Sequence, residues 1–142
     1  MNISEKQREV AEEFSLFPDW REKYERLIEL GKSLPGISEA EKRDSLLIAG
    51  CQSRVWLKPE FKQGKLYFKG DSDAMIPKGI IGLLIRIFSG HEPREIAQAD
   101  TGFLDTVGLQ QFLSPTRSNG LSAMVKQMKF YALAWQAKAQ QA

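Results

Sequence analysis

The sequence predicts an α+β fold in which helices pack on a small antiparallel β-sheet. Three observations carry this expectation. Apolar residues recur at helical spacing in the first and last thirds of the chain. Two short segments rich in Val, Trp, Leu, Tyr and Phe lie between them, separated by Pro59 and Gly64. A nearly all-apolar stretch, Ile76 to Phe88, follows those segments.

Val10, Phe14 and Phe17 share one helical face, so a first helix is expected from about Ser4, ending before Pro18. Asp19 with Glu22 reads as a capping box. It opens a second helix whose apolar face is Trp20, Tyr24, Leu27 and Ile28 and whose end falls at Gly31 or Leu34. Pro35-Gly36 is a turn, and Ser38 with Glu41 offers another capping box leading to Leu46-Leu47-Ile48-Ala49. Ser53 to Leu57 and Lys65 to Lys69 read as a β-hairpin. Gly70-Asp71-Ser72-Asp73 supplies N-cap residues, Asp73 among them, for a central helix buried on nearly every side. Short helices are expected over His91 to Ala99 and Thr101 to Phe112. Ser114-Pro115 then caps a long last helix that buries Leu121, Val125, Met128, Ala132 and Trp135 and points Lys126 and Lys129 elsewhere.

Composition narrows the function classes. The 142 residues, 42% hydrophobic, fit one domain spanning 1–142 with a sizeable core. The longest apolar run, Ile80 to Phe88, is broken by Gly82 and Arg86 and falls far below the ~20 residues that cross a bilayer, so no membrane span is expected. The first residues enter mixed charge without the basic-then-apolar order of a signal peptide, and a single cysteine suits a reducing compartment. The expected location is therefore cytoplasmic. The net charge of +2 divides into −3 over residues 1–45 (eleven acids, eight bases) and +5 over residues 46–142 (seven acids, twelve bases). That bias is too diffuse for a dedicated nucleic-acid binder.

One Cys and one His, without CxxC or HxxH spacing, make no metal site, and neither GxxxxGK[ST] nor GxGxxG is present to cradle a phosphate. No metal or cofactor is expected on this chain. Asp71 and Asp73 are explained by capping. Cys51 follows Gly50 in an expected loop, with Gln52, Ser53 and Arg54 next. Exposed backbone N–H groups and a guanidinium there would favour the thiolate, the form that attacks sulfur. The spacing alone leaves open a buried, inert cysteine. His91 as a base for Cys51 would make a Cys-His hydrolase, although a loop histidine ahead of a helix needs no such role. The hairpin region 54–69 interleaves Arg54, Lys58, Lys65 and Lys69 with Trp56, Tyr67 and Phe68, which is the pattern of a single-strand nucleic-acid binder. It is also the pattern of a small sheet with aromatic residues inward and lysines outward. Gly79 and Gly120 interrupt helical patterns, where close packing would require them.

Four strings in order resemble the SufE-like sulfur-acceptor proteins of iron–sulfur cluster biogenesis, including the CsdE type. They are Trp20-Arg21-Glu22-Lys23-Tyr24 with Ile28-Glu29-Leu30-Gly31 and Leu34-Pro35; Gly50-Cys51-Gln52-Ser53-Arg54-Val55-Trp56; Gly70-Asp71-Ser72-Asp73-Ala74; and Leu113-Ser114-Pro115-Thr116-Arg117-Ser118-Asn119-Gly120-Leu121. The likeness spans roughly Asp19 to Trp135. It implies helices on a small sheet, with the acceptor cysteine, Cys51, at a loop tip. It also implies a pyridoxal-phosphate cysteine desulfurase as donor partner, stimulated by this chain, and a cluster scaffold or another sulfur-using enzyme as recipient. On that likeness the chain is an accessory sulfur carrier, not a stand-alone enzyme. Gln52, Ser53, Arg54, Asp73 and Arg117 become candidates for binding the partner or stabilising the persulfide. Arg117 stands out because a cation in the first turn of a helix opposes the helix dipole and asks for another purpose.

Overall fold

The computed structural model describes residues 1–102 and 113–141. Asn2 opens α1 (Ile3–Ser15) with a complete capping box: its side chain accepts from the Glu5 N–H, and the Glu5 carboxylate accepts from the Asn2 N–H. Val10 and Phe14 are fully buried, and Phe17 meets Phe14 edge-on just beyond the helix. Asp19 caps α2 (Trp20–Ser33) by accepting from the Glu22 N–H at 2.9 Å. The expected Ser38–Glu41 box forms on a short 3-10 turn, Glu39–Glu41. A second such turn, Asp44–Leu46, brings Ile48 to the hairpin, where its N–H donates to the Val55 carbonyl.

The hairpin consists of β1 (Val55–Lys62) and β2 (Lys65–Ser72), paired antiparallel. Gln63 and Gly64, both at positive φ, form the two-residue turn. Both strands are longer than the composition suggests, and Pro59 lies inside β1 where it was expected to end the segment. The register explains its tolerance. Pro59 faces Phe68, whose N–H points away from β1 to donate to Ser89 Oγ, so the two occupy a non-hydrogen-bonded pair where a missing donor costs nothing. Leu66 likewise turns its N–H outward, to the His91 carbonyl.

Helix α3 (Met75–Phe88) is central: Ile80, Ile81, Leu83, Leu84, Ile87 and Phe88 are all essentially inaccessible. Its N-cap is Ala74, which makes no side-chain cap, so the expectation that Asp73 fills this role is corrected. Pro77 sits in the first turn, where no N–H is needed. α3 crosses α2 in close backbone contact. A Cβ on Gly79 would lie 2.1 Å from the Leu27 carbonyl oxygen, and one on Gly31 would lie 2.9 Å from the Gly79 nitrogen. On its other side α3 meets β2 at Gly70, where a Cβ would be 3.0 Å from the end of Ile85.

α4 (Pro93–Gln98) begins with its proline, as expected for the His91 to Ala99 stretch. The helix expected over Thr101 to Phe112 falls almost wholly outside the described residues. In α5 (Pro115–Gln141), Leu121, Val125, Met128 and Ala132 are buried and Trp135 packs against the core. Lys129 departs from expectation: its ammonium donates to the carbonyls of Ala97 and Ala99, satisfying the C-terminal end of α4. Among the described residues no helix is long and apolar enough to cross a membrane.

Replacing Gly79 by alanine is expected to lower the free energy of unfolding by about 3 kcal/mol, because neither backbone can yield easily. Urea unfolding measures this, and a variant as stable as the parent would contradict the close crossing.

Candidate functional site

Gly50 takes φ +90°, the left-handed region, and a Cβ there would press within 3.3 Å of Ala123 on α5. Glycine therefore lets the loop after Ile48 turn tightly and lie against α5. The turn presents Cys51 to that helix, with Sγ 3.7 Å from the Gly120 carbonyl, which accepts from the thiol.

The far end of the loop is fastened by the base of the hairpin. The Arg54 N–H donates to Asp73 Oδ1 at 3.1 Å, the Asp73 N–H donates to the Arg54 carbonyl, and the Ser72 hydroxyl donates to that carbonyl at 2.8 Å. Asp73 thus spends its side chain on closing the loop. The turn into α3 is held instead by Ser72 Oγ, which accepts from the Ala74 N–H.

Between loop and helices lies an open cavity of about 700 Å³. Cys51, Gln52 and Ser53 form one side of it, and Met75, Ile76 and Pro77 from the start of α3 form another. Ser114, Arg117, Gly120 and Met124 close it from the side of α5. Cys51, Gln52, Ser53 and Arg117, singled out from the sequence, therefore share one cavity. Arg54 does not line it, and Asp73 reaches it only through the loop closure.

The electrostatics of the thiol differ from the sequence expectation. Cys51 is half-buried, not exposed at a tip, and burial pushes its pKa above the ordinary cysteine value. The Arg54 guanidinium does not supply the expected help. Among the described residues the charged side chain lining the cavity is Arg117, whose guanidinium lies 5.8 Å from the Tyr24 ring centroid. Tyr24 in turn meets Trp20 edge-on at 5.5 Å. With Trp20 57% and Met75 61% exposed, the rim of the site mixes a cation with apolar surface.

His91 is not part of this site. Its ring is buried, with Nδ1 3.3 Å from the Phe88 carbonyl and Nε2 3.2 Å from that of Met1, so it ties the chain start to the end of α3. The hairpin also spends most of the groups that a single-strand binder would present, although Lys65 and Tyr67 are exposed. Trp56 and Phe68 are buried, Lys58 pairs with Glu41, and Lys62 and Lys69 pair with Glu60. Among the described residues no group of three or more Cys, His, Asp or Glu side chains is arranged to hold a metal.

The model of the SufE family, an Fe–S metabolism associated domain, matches residues 8–132. The chain belongs to the SufE family. Uncharacterized SufE-like proteins are similar to it along most of their length. One from Synechocystis sp. is 35% identical over 127 residues, covering 89% of this chain and 80% of that protein. One from Rhizobium meliloti is 33% identical over 126 residues, covering 85% and 90%. A solution structure of a hypothetical protein from Thermus thermophilus superposes with a TM-score of 0.76 over 96% of this chain and 97% of the other. At 22% identity it shows a shared fold.

The SufE strings quoted above converge in space: the Cys51 string and the Ser114 to Gly120 string face each other across the cavity, and the Asp73 string fastens the loop. Sequence reasoning missed Met75, Ile76 and Met124 as walls of the site, since apolar residues in helices signal core before they signal a cavity. It also missed Tyr24 as the support of Arg117.

The rate of Cys51 alkylation against pH should inflect above that of a cysteine in an unstructured peptide, since burial disfavours the thiolate. A midpoint at or below the peptide's would contradict the half-buried setting. Asp73→Ala should cost about 1 kcal/mol through loss of the bond to the Arg54 N–H, read as a lower urea midpoint. An unchanged midpoint would show that the loop closure contributes nothing.

Proposed function

We propose that this SufE-family chain is a sulfur acceptor. Cys51 takes the outer sulfur of a persulfide held on a pyridoxal-phosphate cysteine desulfurase and passes it to an iron–sulfur scaffold or another sulfur-using enzyme. In doing so it relieves the desulfurase of its product and raises its turnover. The observation that carries this reading is the convergence of two family strings, more than fifty residues apart in sequence, on one cavity around the chain's only cysteine. A merely structural cysteine would need neither the cavity nor the arginine at its edge.

The chemistry is thiol–disulfide exchange in its persulfide form. Cys51 Sγ, deprotonated, attacks the outer sulfur of the donor's persulfide. A sulfur–sulfur bond forms at Sγ, the donor's own sulfur–sulfur bond breaks, and the electron pair leaves with the donor cysteine as a thiolate. Cys51 then carries S–SH, and no external oxidant or reductant is consumed. The proton lost by Cys51 balances the one available to the departing thiolate. Arg117, with its guanidinium at the edge of the cavity, serves the negative charge that passes between the sulfurs, or a carboxylate of the partner in a two-pronged geometry that lysine does not reproduce. Gln52 and Ser53 offer hydrogen-bonding groups to the same space. Cytoplasmic cluster assembly, where thiols stay reduced, suits this chemistry.

Incubation with a desulfurase and cysteine should add the mass of one sulfur to the peptide containing Cys51, and none to a Cys51→Ser protein. No adduct on the parent while the desulfurase turns over would refute the proposal. Arg117→Ala should slow this transfer by about tenfold, the scale of one lost charge-assisted hydrogen bond. Arg117→Lys should recover it only in part, with melting temperatures unchanged in both. Transfer at the parental rate in Arg117→Ala would leave the arginine as surface charge alone.

A further inference from the structure

A glycine inside a helix costs about 1 kcal/mol relative to alanine. Gly79 and Gly31 are explained by the backbone contact between α2 and α3, but Gly120 has no such explanation. Among the described residues, and apart from its chain neighbours and its own helix backbone, a methyl on its α-carbon would meet one heavy atom within 4 Å, Cys51 Sγ, at 3.7 Å, which is an ordinary contact distance. Nor does Gly120 adopt a positive φ. The thiol form of the protein has room for alanine here, and the helix would be steadier with it.

What has no room beside that methyl is a second sulfur. A sulfur–sulfur bond is about 2.05 Å long, and non-bonded heavy atoms rest about 3.5–4.0 Å apart. A methyl already in contact with Sγ closes the side of the sulfur that faces α5. With glycine that side opens into the cavity bounded by Ser114, Arg117 and Met124.

We propose that Gly120 is the seat of the transferred sulfur: the Cys51 persulfide, once formed, lies against α5 with its outer sulfur over the bare α-carbon of Gly120. This rests on Cys51 being the acceptor and adds the residue that sets how much Cys51 can carry. One sulfur fits beneath the loop, sheltered by the helix backbone. The arginine that lines the same cavity then faces the terminal sulfur, the atom to be handed on. The seat is defined by an absent side chain, so any substitution that adds a carbon at 120 removes it while leaving the thiol itself intact.

The test loads native protein, Gly120→Ala and Gly120→Ser with cysteine persulfide, removes the excess, and follows the adduct on Cys51 by mass spectrometry during exposure to dithiothreitol. Melting temperature and the alkylation rate of the free thiol are measured alongside. Gly120→Ala should melt at or above the native temperature, yet lose its persulfide about tenfold faster than any change in the alkylation rate of its free thiol accounts for, the scale of a small overpacking penalty. Gly120→Ser, of similar size, should behave alike and guards against a defect peculiar to alanine. Native persulfide lifetime in a folded Gly120→Ala protein overturns the inference and leaves the acceptor reading standing. So does a drop in melting temperature in both variants that the persulfide loss merely follows, since packing then explains the glycine. Failure of the native protein to take any sulfur overturns both the inference and the acceptor reading.

Discussion

Backbone meets backbone where α2 crosses α3. At Gly79 the carbonyl of Leu27 occupies the space of a side chain, and at Gly31 the backbone of Lys78 and Gly79 does the same, so the two helices lie closer than a pair bearing Cβ atoms there could. That approach fixes α3 along its length, and the remaining parts take their places from it. The hairpin lies on the opposite side of α3 through Gly70. The first turn of α3 becomes a wall of the cavity, and the loop bearing Cys51 spans from the hairpin base to α5. Acidic partners on α1 steady the other end of α3, where Arg86 donates to Glu9 and Glu13 at 2.6 and 2.8 Å. The site is thus positioned by helices and a closed hairpin, although its reactive atom sits on a loop.

A half-buried neutral thiol suits a carrier better than an exposed thiolate would. Only the thiolate is strongly nucleophilic, so a thiol whose pKa is raised by burial is slow toward oxidants and stray electrophiles. On the proposed function, the same enclosure would shield a sulfur attached to Cys51. The penalty is slower attack by the isolated protein, and the arginine at the cavity edge is the group available to offset it where negative charge develops. Arg117 lies over the ring of Tyr24, which α2 supplies, so α2 and α5 together build the edge of the cavity.

Much of the fold was legible because local signals agree with the global answer. Asp19 and Ser38 stand where a helix or turn begins, and the apolar stripe of α5 is readable from Leu121 to Trp135. Cys51 itself was legible through its string. What escaped depended on partners distant in sequence. Pro59 reads as the end of a strand because its harmlessness is decided by register against Phe68. Asp73 reads as an N-cap because its actual partner, the Arg54 N–H, arrives only when the hairpin closes. Nearness in sequence gives Arg54 to the thiol, but Arg54 sits at the base of the hairpin with its backbone tied to Asp73, and it is Arg117, far along the sequence, that reaches the cavity. Lys129 reads as a solvated charge until the end of α4 is placed beneath it.

Whether sulfur passes through Cys51, and does not merely travel past it, is decided most directly by a pulse–chase experiment. Labelled sulfur from cysteine is loaded onto the protein by a desulfurase. The loaded protein is then purified away from the donor and mixed with an iron–sulfur scaffold, and the label is followed on both chains. Label should leave Cys51 and appear on the scaffold in matching amounts, with none delivered by a Cys51→Ser protein treated in the same way. Label that stays on Cys51, or reaches the scaffold equally well with the Cys51→Ser protein present alongside the donor, would contradict passage through this thiol.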